Sequence, residues 1–415
     1  MAEDAQTPSE SDEQVTYRYE RWRAVAAGIL ETAGSTFLLY IAVKFYQAGP
    51  SAKALVAAGG NFGMILTPLT VYWVAMRGWR VSKVAAAMLA AASVAFAMVA
   101  LLHDETVFIL GSMLGMTLAT SIIPLLTQMY QDNYPADRRG RLFSGAFMIR
   151  IAAATLFSYL AGELLETDIL YFPLLLGVFA AELFGSAVLL SRCPSRPLHR
   201  DGQISPFRGL RHVRDDALFR MTLLSWMLMG FANLMMVQLR VEYMANPRYG
   251  TPFQADQIAL LTGVIPNIAR LALSPLWGRL FDRMNFFGLR FILNVGFAMG
   301  AIAFFAGRDM EGMIFGAIIF GISNAGGDVA WSLWVTKLAP PDRVAEYMSV
   351  HTFLTGLRGV LAPLVAFHAV TKYSFQSVSI SAAVLMVLAS LLLVPEIRSA
   401  RSRKENAALA EEVAD

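Results

Sequence analysis

The chain has 415 residues, of which 56% are hydrophobic and 16% charged, and a formal net charge of +3. Its apolar residues come in long runs rather than at amphipathic spacing, which places it in the membrane class and excludes a large soluble core. A single cysteine, Cys193, excludes an internal disulfide or a thiolate metal cluster. No Walker, dinucleotide, nucleophile-elbow or metal-spaced motif occurs, so an enzyme, a cofactor and a nucleic-acid partner are not expected.

Residues 1–21 begin polar and acidic, which predicts a disordered tail and no signal peptide. Apolar stretches then fall at about 22–46, 52–76, 81–103, 106–130, 142–164 and 168–190, and again at about 218–245, 254–277, 286–306, 310–336, 346–369 and 375–395. Each can cross about 30 Å of hydrocarbon at 1.5 Å per residue. The sequence therefore predicts an all-α polytopic membrane protein with twelve transmembrane helices in two six-helix bundles, 22–191 and 217–396. A linker at 192–216 joins them, and residues 397–415 form a second tail.

Arginine and lysine decide the orientation. Arg18, Arg21 and Arg23 precede the first stretch, Arg77, Arg80 and Lys83 follow the second, and Arg138, Arg139 and Arg141 follow the fourth. Arg192 to Arg214 fill the linker and Arg398 to Lys404 follow the last stretch. The alternate loops hold only scattered bases such as Lys53, Arg248 and Lys372. By the positive-inside rule both termini are cytoplasmic, in a cell inner membrane. In the linker, Phe207, Leu210 and Val213 would share one face of a short helix lying on the inner leaflet, or the segment merely joins the halves.

The halves look like copies. YPADRRGR at Tyr134 and APPDRVAE at Ala339 both follow a fourth stretch, and LTPL at Leu66 recurs as LSPL at Leu273 after the second. After LSPL comes Gly278-Arg279-Leu280-Phe281-Asp282-Arg283, where the glycine is expected to allow a tight turn and the arginines to mark the cytoplasmic side. This G-x-L-x-D-R resembles the loop signature of the major facilitator superfamily of secondary transporters. The first half lacks the aspartate, reading TVYWVAMRGWR, and the fifth stretch lacks the glycine-proline pair typical of that superfamily's proton-coupled drug exporters.

The resemblance implies a monomer whose two halves rock about a central site, with helices other than 3, 6, 9 and 12 lining the cavity. Asp282 and Arg283, with Gly278 and Arg343 of the matching loop, would gate the cytoplasmic side. Ionisable residues inside the apolar stretches mark the expected site, because each costs several kcal/mol unless paired or hydrated. They are Glu31, Arg150, Arg270 and Asp328, each about 12 to 14 Å from the inner end of its helix, and Arg358, nearer the centre. The superfamily's helix order predicts pairs Glu31 with Arg150 and Asp328 with Arg270, leaving Arg358 to anchor an anionic substrate group. Such pairs can equally be static glue.

Neutral polar residues line up with these charges. Asn267 and Arg270, Asn324, Asp328 and Trp331, and His351, Thr355 and Arg358 each share a helix face. That suggests a wet cavity or interhelical hydrogen bonds, with packing the expected role of Trp331 and a solvated place for His351 near its helix end. The expected substrate-binding set is Arg358, Arg270, Arg150, Asn267, Asn324, Trp331 and Thr355, with Glu31 or Asp328 carrying a coupling proton. The expected function is secondary transport of a small-molecule solute, an organic anion, across the lipid bilayer. The rivals are efflux of amphiphilic drugs, which 21 methionines would suit, and a non-transporting sensor or assembly partner.

Overall fold

The computed structural model describes residues 10–135, 139–197, 210–250, 253–306, 310–338 and 344–398. Within them the chain forms twelve long helical segments. In the first half, α1 runs Glu10–Thr32 and continues through a π-helical turn, Ala33–Phe37, into Leu38–Lys44. There follow α2 (Pro50–Arg77), α3 (Val81–Leu101), α4 (Glu105–Ser121, resuming as Ile123–Asn133), α5 (Arg139–Thr167) and α6 (Phe172–Ser191). The second half holds α7 (Ala217–Ala245), α8 (Ala255–Ala259, a π-helical turn Leu260–Val264, then Ile265–Arg283) and α9 (Phe286–Ala306). It ends with α10 (Met310–Leu338), α11 (Val344–Lys372) and α12 (Phe375–Leu391). Eleven of the twelve are long and apolar enough to cross a membrane; α10 matches them in length at 29 residues.

Local chemistry sets the ends. Asp104 caps α4 by accepting from the Val107 N–H, Asp216 caps α7 through Phe219, and Ser374 caps α12 through Ser377. Gly78 closes α2 in the left-handed region at φ 61°. Because the number of spans is even, α1 begins and α12 ends on one side, called the terminal face below, and the other side is the far face.

Each half packs on itself through α3 against α6 and α9 against α12. The most extensive contacts between the halves are α2 with α11 and α5 with α8. These are equivalent pairs under a two-fold repeat of six helices, the arrangement expected of two copies rocking on a shared interface. Small residues allow the close approach. A methyl group at Gly356 would meet the α2 backbone, 2.8 Å from the Ile65 nitrogen, and one at Gly162 would lie 2.7 Å from the Ala259 side chain.

Three expectations need correction. The tail predicted to run to residue 21 is helical from Glu10, because it has a surface to cover: Thr16 is fully buried and accepts from the Asn133 side chain, and Glu20 holds Arg23. The stretch Gly278 to Arg283 is not a loop. It forms the last turns of α8, which passes through Pro275 unbroken, and a side chain at Gly278 would meet nothing within 4 Å, so no tight turn requires that glycine. Lys53, read as a loop base, lies inside α2 and is buried, because Pro50 starts the helix three residues earlier. In the linker the described part contains a short helix, Arg211–Asp215, whose His212 is buried; Phe207 lies outside the described residues, as does the tail beyond residue 398.

Candidate functional site

The site is built on four charged side chains from four helices. Gly28 lets α1 sit so close to α5 that a methyl group there would overlap the Arg150 carbonyl. One turn on, Glu31 accepts from Arg150 Nε at 2.7 Å through Oε2. Its other oxygen, Oε1, accepts from Arg270 Nη1 at 2.9 Å. Arg270 Nε donates to Asp328 Oδ2 at 2.5 Å. The result is a chain of alternating charge, Arg150, Glu31, Arg270, Asp328, that runs from one half of the molecule into the other.

The two pairs expected from helix order are both present. The link between them, Glu31 to Arg270, was not expected, and it is the one that crosses the halves. Two π-helical turns accompany it, Ala33–Phe37 just after Glu31 and Leu260–Val264 before Arg270. They are joined by a hydrogen bond between the Thr36 and Thr262 hydroxyls at 2.9 Å. Such turns are rare and concentrate at functional sites. Phe147, also unforeseen, presents its ring to both arginines, 5.8 Å from Arg150 Cζ and 5.3 Å from Arg270 Cζ.

Exposure differs along the chain. The Arg150 and Asp328 side chains are 40% and 35% exposed, whereas Arg270 is 13%. The outer members of the chain are therefore more exposed than its centre. Other cross-half bonds lie toward the far face: Lys53 Nζ to Glu242 Oε1 at 2.5 Å, Ser51 to His368 at 3.3 Å, and the Ala255 N–H to Glu166 Oε2 at 2.8 Å. Lys53 and Glu242 are both buried, and Asn246 Nδ2 also donates to Glu242 at 2.8 Å.

The remaining expected residues are dispersed. Asn267 and Asn324 are half-buried on the helices that carry Arg270 and Asp328. Thr355 is buried and its hydroxyl has no hydrogen-bond partner. Trp331 lies 5.6 Å from His351, ring to ring. Arg358 does not join the charge chain: Nη1 donates to the Trp226 carbonyl on α7, and the guanidinium packs on Gly230, where a methyl group would overlap it. His351 is not solvated; it is fully buried among the rings of Trp226, Trp331 and Trp334. Three indoles reach over the histidine from α7 and α10, which helix position alone does not reveal. Among the gating residues, Arg283 is exposed at the end of α8, the Asp282 side chain is outside the described set, and so is Arg343. Among the described residues no group of acidic, histidine or cysteine side chains could hold a metal ion.

Residues 245–413 match the family model of the Major Facilitator Superfamily. The match covers about two fifths of the chain, most of its second half, and there the chain is similar to that superfamily. Its fold agrees: a solved structure of a mutant of the nucleoside transporter NupG superposes with a TM-score of 0.75 at 13% identity, covering 92% of this chain and 99% of that one. A D-xylose–proton symporter superposes at 0.70 and 16% identity, over 92% and 97% of the two chains. The inward-open xylose transporter XylE from E. coli gives 0.67 at 16%, over 91% and 94%. At these identities the likeness is one of fold. No curated protein is similar enough in sequence to be matched.

Proposed function

We propose that this chain is a member of the major facilitator superfamily, a secondary active transporter that moves a small organic anion by alternating access, coupled to protons. The observation that carries the reading is the Glu31–Arg270 contact, an ion pair across the two halves at the centre of a charge chain whose outer members are the more exposed. Arg270 is shared by two carboxylates from opposite halves. Protonating Glu31 or Asp328 frees one side of that guanidinium, and an anionic substrate group can take the vacated place. Binding and proton uptake thereby become one exchange. Among solved proteins of this fold is a D-xylose–proton symporter, which supports proton coupling.

By the positive-inside pattern the terminal face is cytoplasmic and the protein sits in a cell inner membrane. The cross-half bonds of Lys53, Ser51 and Glu166 close the far face, so water reaches Arg150 and Asp328 from the cytoplasmic side, in an inward-open state. Asp282, Arg283 and Arg343 would close the opposite gate in the outward-open state. The substrate is placed at Arg270 and Arg150, flanked by Asn267 and Asn324, rather than at Arg358. A charge chain with part-exposed outer members is of no use to a static sensor, whose polar faces would be packed shut.

Purified protein in proteoliposomes, loaded with organic anions, amino acids, sugars and cationic dyes in turn, tests the reading by counterflow. Accumulation of one or more anions that a protonophore abolishes is the expected result. Uptake confined to cations or neutral sugars would overturn the anion assignment, and uptake indifferent to the proton gradient would overturn the coupling.

A further inference from the structure

Inside the second half lies a second set of basic side chains, Arg290 buried and Arg358 half-buried, with no acid beside them among the described residues. Arg290 on α9 is 1% exposed, and none of its three guanidinium nitrogens has a hydrogen-bond partner. Its Cζ lies 3.4 Å above the ring of Trp226. The carbonyl of that same Trp226 accepts from Arg358, whose Nε is also unpartnered, and its ring lies 5.3 Å from that of His351, which is fully buried with both nitrogens unpartnered. Arg290 and Arg358 thus meet the same tryptophan, one over its ring and one at its carbonyl. Asn294, one turn along α9 from Arg290, is fully buried with an unpartnered amide, and Thr355, between His351 and Arg358 on α11, has an unpartnered hydroxyl.

Two guanidinium groups do not lose their protons in a protein interior. Leaving a buried charge without a counterion costs several kcal/mol, and each unpaired donor adds to it. The first half shows what is missing. There α5 presents Arg150 and α1 answers with Glu31. At the equivalent helix pair of the second half, α11 presents Arg358 and α7 answers with a backbone carbonyl and the bare surface of Gly230. What surrounds Trp226 is a cluster of donors in want of one negative charge.

We infer that the donors around Trp226, chiefly Arg290, Arg358 and Asn294, form a seat for a small inorganic anion of halide size, resident in the second half and separate from the transported solute. Size follows from enclosure: Arg290, Asn294 and His351 are fully buried and Arg358 half-buried around one indole, which suits an ion that accepts from several donors at once rather than an organic molecule with a body to house. Position follows too, since α9 is a flank helix in this fold and does not line the route between the halves.

The test uses the full-length protein in detergent, its thermal unfolding followed in sodium chloride or bromide against sodium gluconate at constant ionic strength. The unfolding midpoint is expected to rise by a few degrees with halide and to saturate. Arg290→Met should lose that rise while unfolding in gluconate no earlier than the parent, because it removes the uncompensated charge. A second reading needs no variant: bromide should quench part of the tryptophan emission saturably, as Trp226 lies within the seat. A midpoint that is the same in halide and gluconate, together with quenching that is merely linear in bromide, would overturn the proposal. So would an R290M protein that keeps the full halide rise. Neither result bears on solute transport through Arg270, which the counterflow panel tests separately.

Discussion

Glu31 on α1 and Arg270 on α8 lie 239 positions apart in the chain, in different halves of the molecule, and meet at 2.9 Å. The contact makes each half's charge depend on the other. Rocking the halves apart must break it, and the exposed carboxylate and guanidinium then need water, a proton or a substrate group in exchange. Static glue within one half would not have this property, because neither partner would change its surroundings during transport.

The first prediction is that the two residues are energetically coupled. Single variants Glu31→Gln and Arg270→Gln and the double variant form a cycle, read as thermal unfolding in detergent. A coupling of about 1–3 kcal/mol is expected, since the residues touch and share one network. Purely additive losses would mean that the pair contributes nothing as a pair. Both single variants should lower uptake about a hundredfold or more, because each removes one side of the exchange at Arg270.

Lys53 and Glu242 carry the second. Their ion pair is 2.5 Å long, buried on both sides, and joins α2 to α7 near the far face. Lys53→Met leaves Glu242 buried with only Asn246, which costs the state that holds the pair about 3–5 kcal/mol. At about 1.4 kcal/mol per decade the closed far face should then lose two decades or more of its population relative to the open one. A cysteine placed at Ser51 in a Cys193→Ser background should label faster from the far side in the Lys53→Met protein. Equal labelling rates would remove the pair from the gate.

Cys193 supplies a prediction about pH. It sits just past α6, buried, and burial together with the charge of Glu20 pushes its thiol up to about 12. An unfolded cysteine ionises near about 8.5. Because the folded state favours the neutral thiol, Cys193 leaves stability unchanged below pH about 8.5 and lowers it as pH rises from there toward about 12. At pH 7.5 the native protein should resist maleimide while the SDS-unfolded protein reacts. Rapid native labelling would show that the thiol is not enclosed. Cys193→Ser should be silent for transport, giving a cysteine-free background.

These assignments show which parts of the molecule were legible in the sequence. Glu31, Arg150, Arg270 and Asp328 stood out because a charge within an apolar run has few reasons to exist, and helix order paired them. The bond across the halves was hidden, since its partners stand 239 positions apart on helices of different halves, which neither spacing nor the pairing of helices within a half brings together. Lys53 and Arg290 were masked by their positions near helix ends, where a basic residue reads as an interfacial anchor rather than a buried group. His351 was misplaced by the same logic. Its depth along α11 was right, but the indoles that cover it come from α7 and α10, far away in the chain. Gly278 to Arg283 had the composition of a turn and formed helix instead.

The last prediction concerns the surface on which the halves turn. α2 and α11 cross where Gly356 faces the backbone of α2, with the Ile65 nitrogen 2.8 Å and the Asn61 carbonyl oxygen 3.0 Å from where a methyl group would sit. Backbone cannot step aside, so Gly356→Ala must push the two halves apart. Three residues on, a methyl group at Gly359 would meet the Asn61 side chain, whose amide can rotate away but whose Cβ, at 2.8 Å, cannot. Gly177, on α6, faces nothing within 4 Å, and alanine there should gain about 0.5–1 kcal/mol from helix propensity alone. The expected result is therefore loss of transport in both Gly356→Ala and Gly359→Ala, with Gly177→Ala unimpaired and slightly more heat-stable. If Gly356→Ala transported as well as Gly177→Ala, the close crossing of α2 and α11 would not be the surface about which the halves rock, and the pivot would have to lie at α5 and α8.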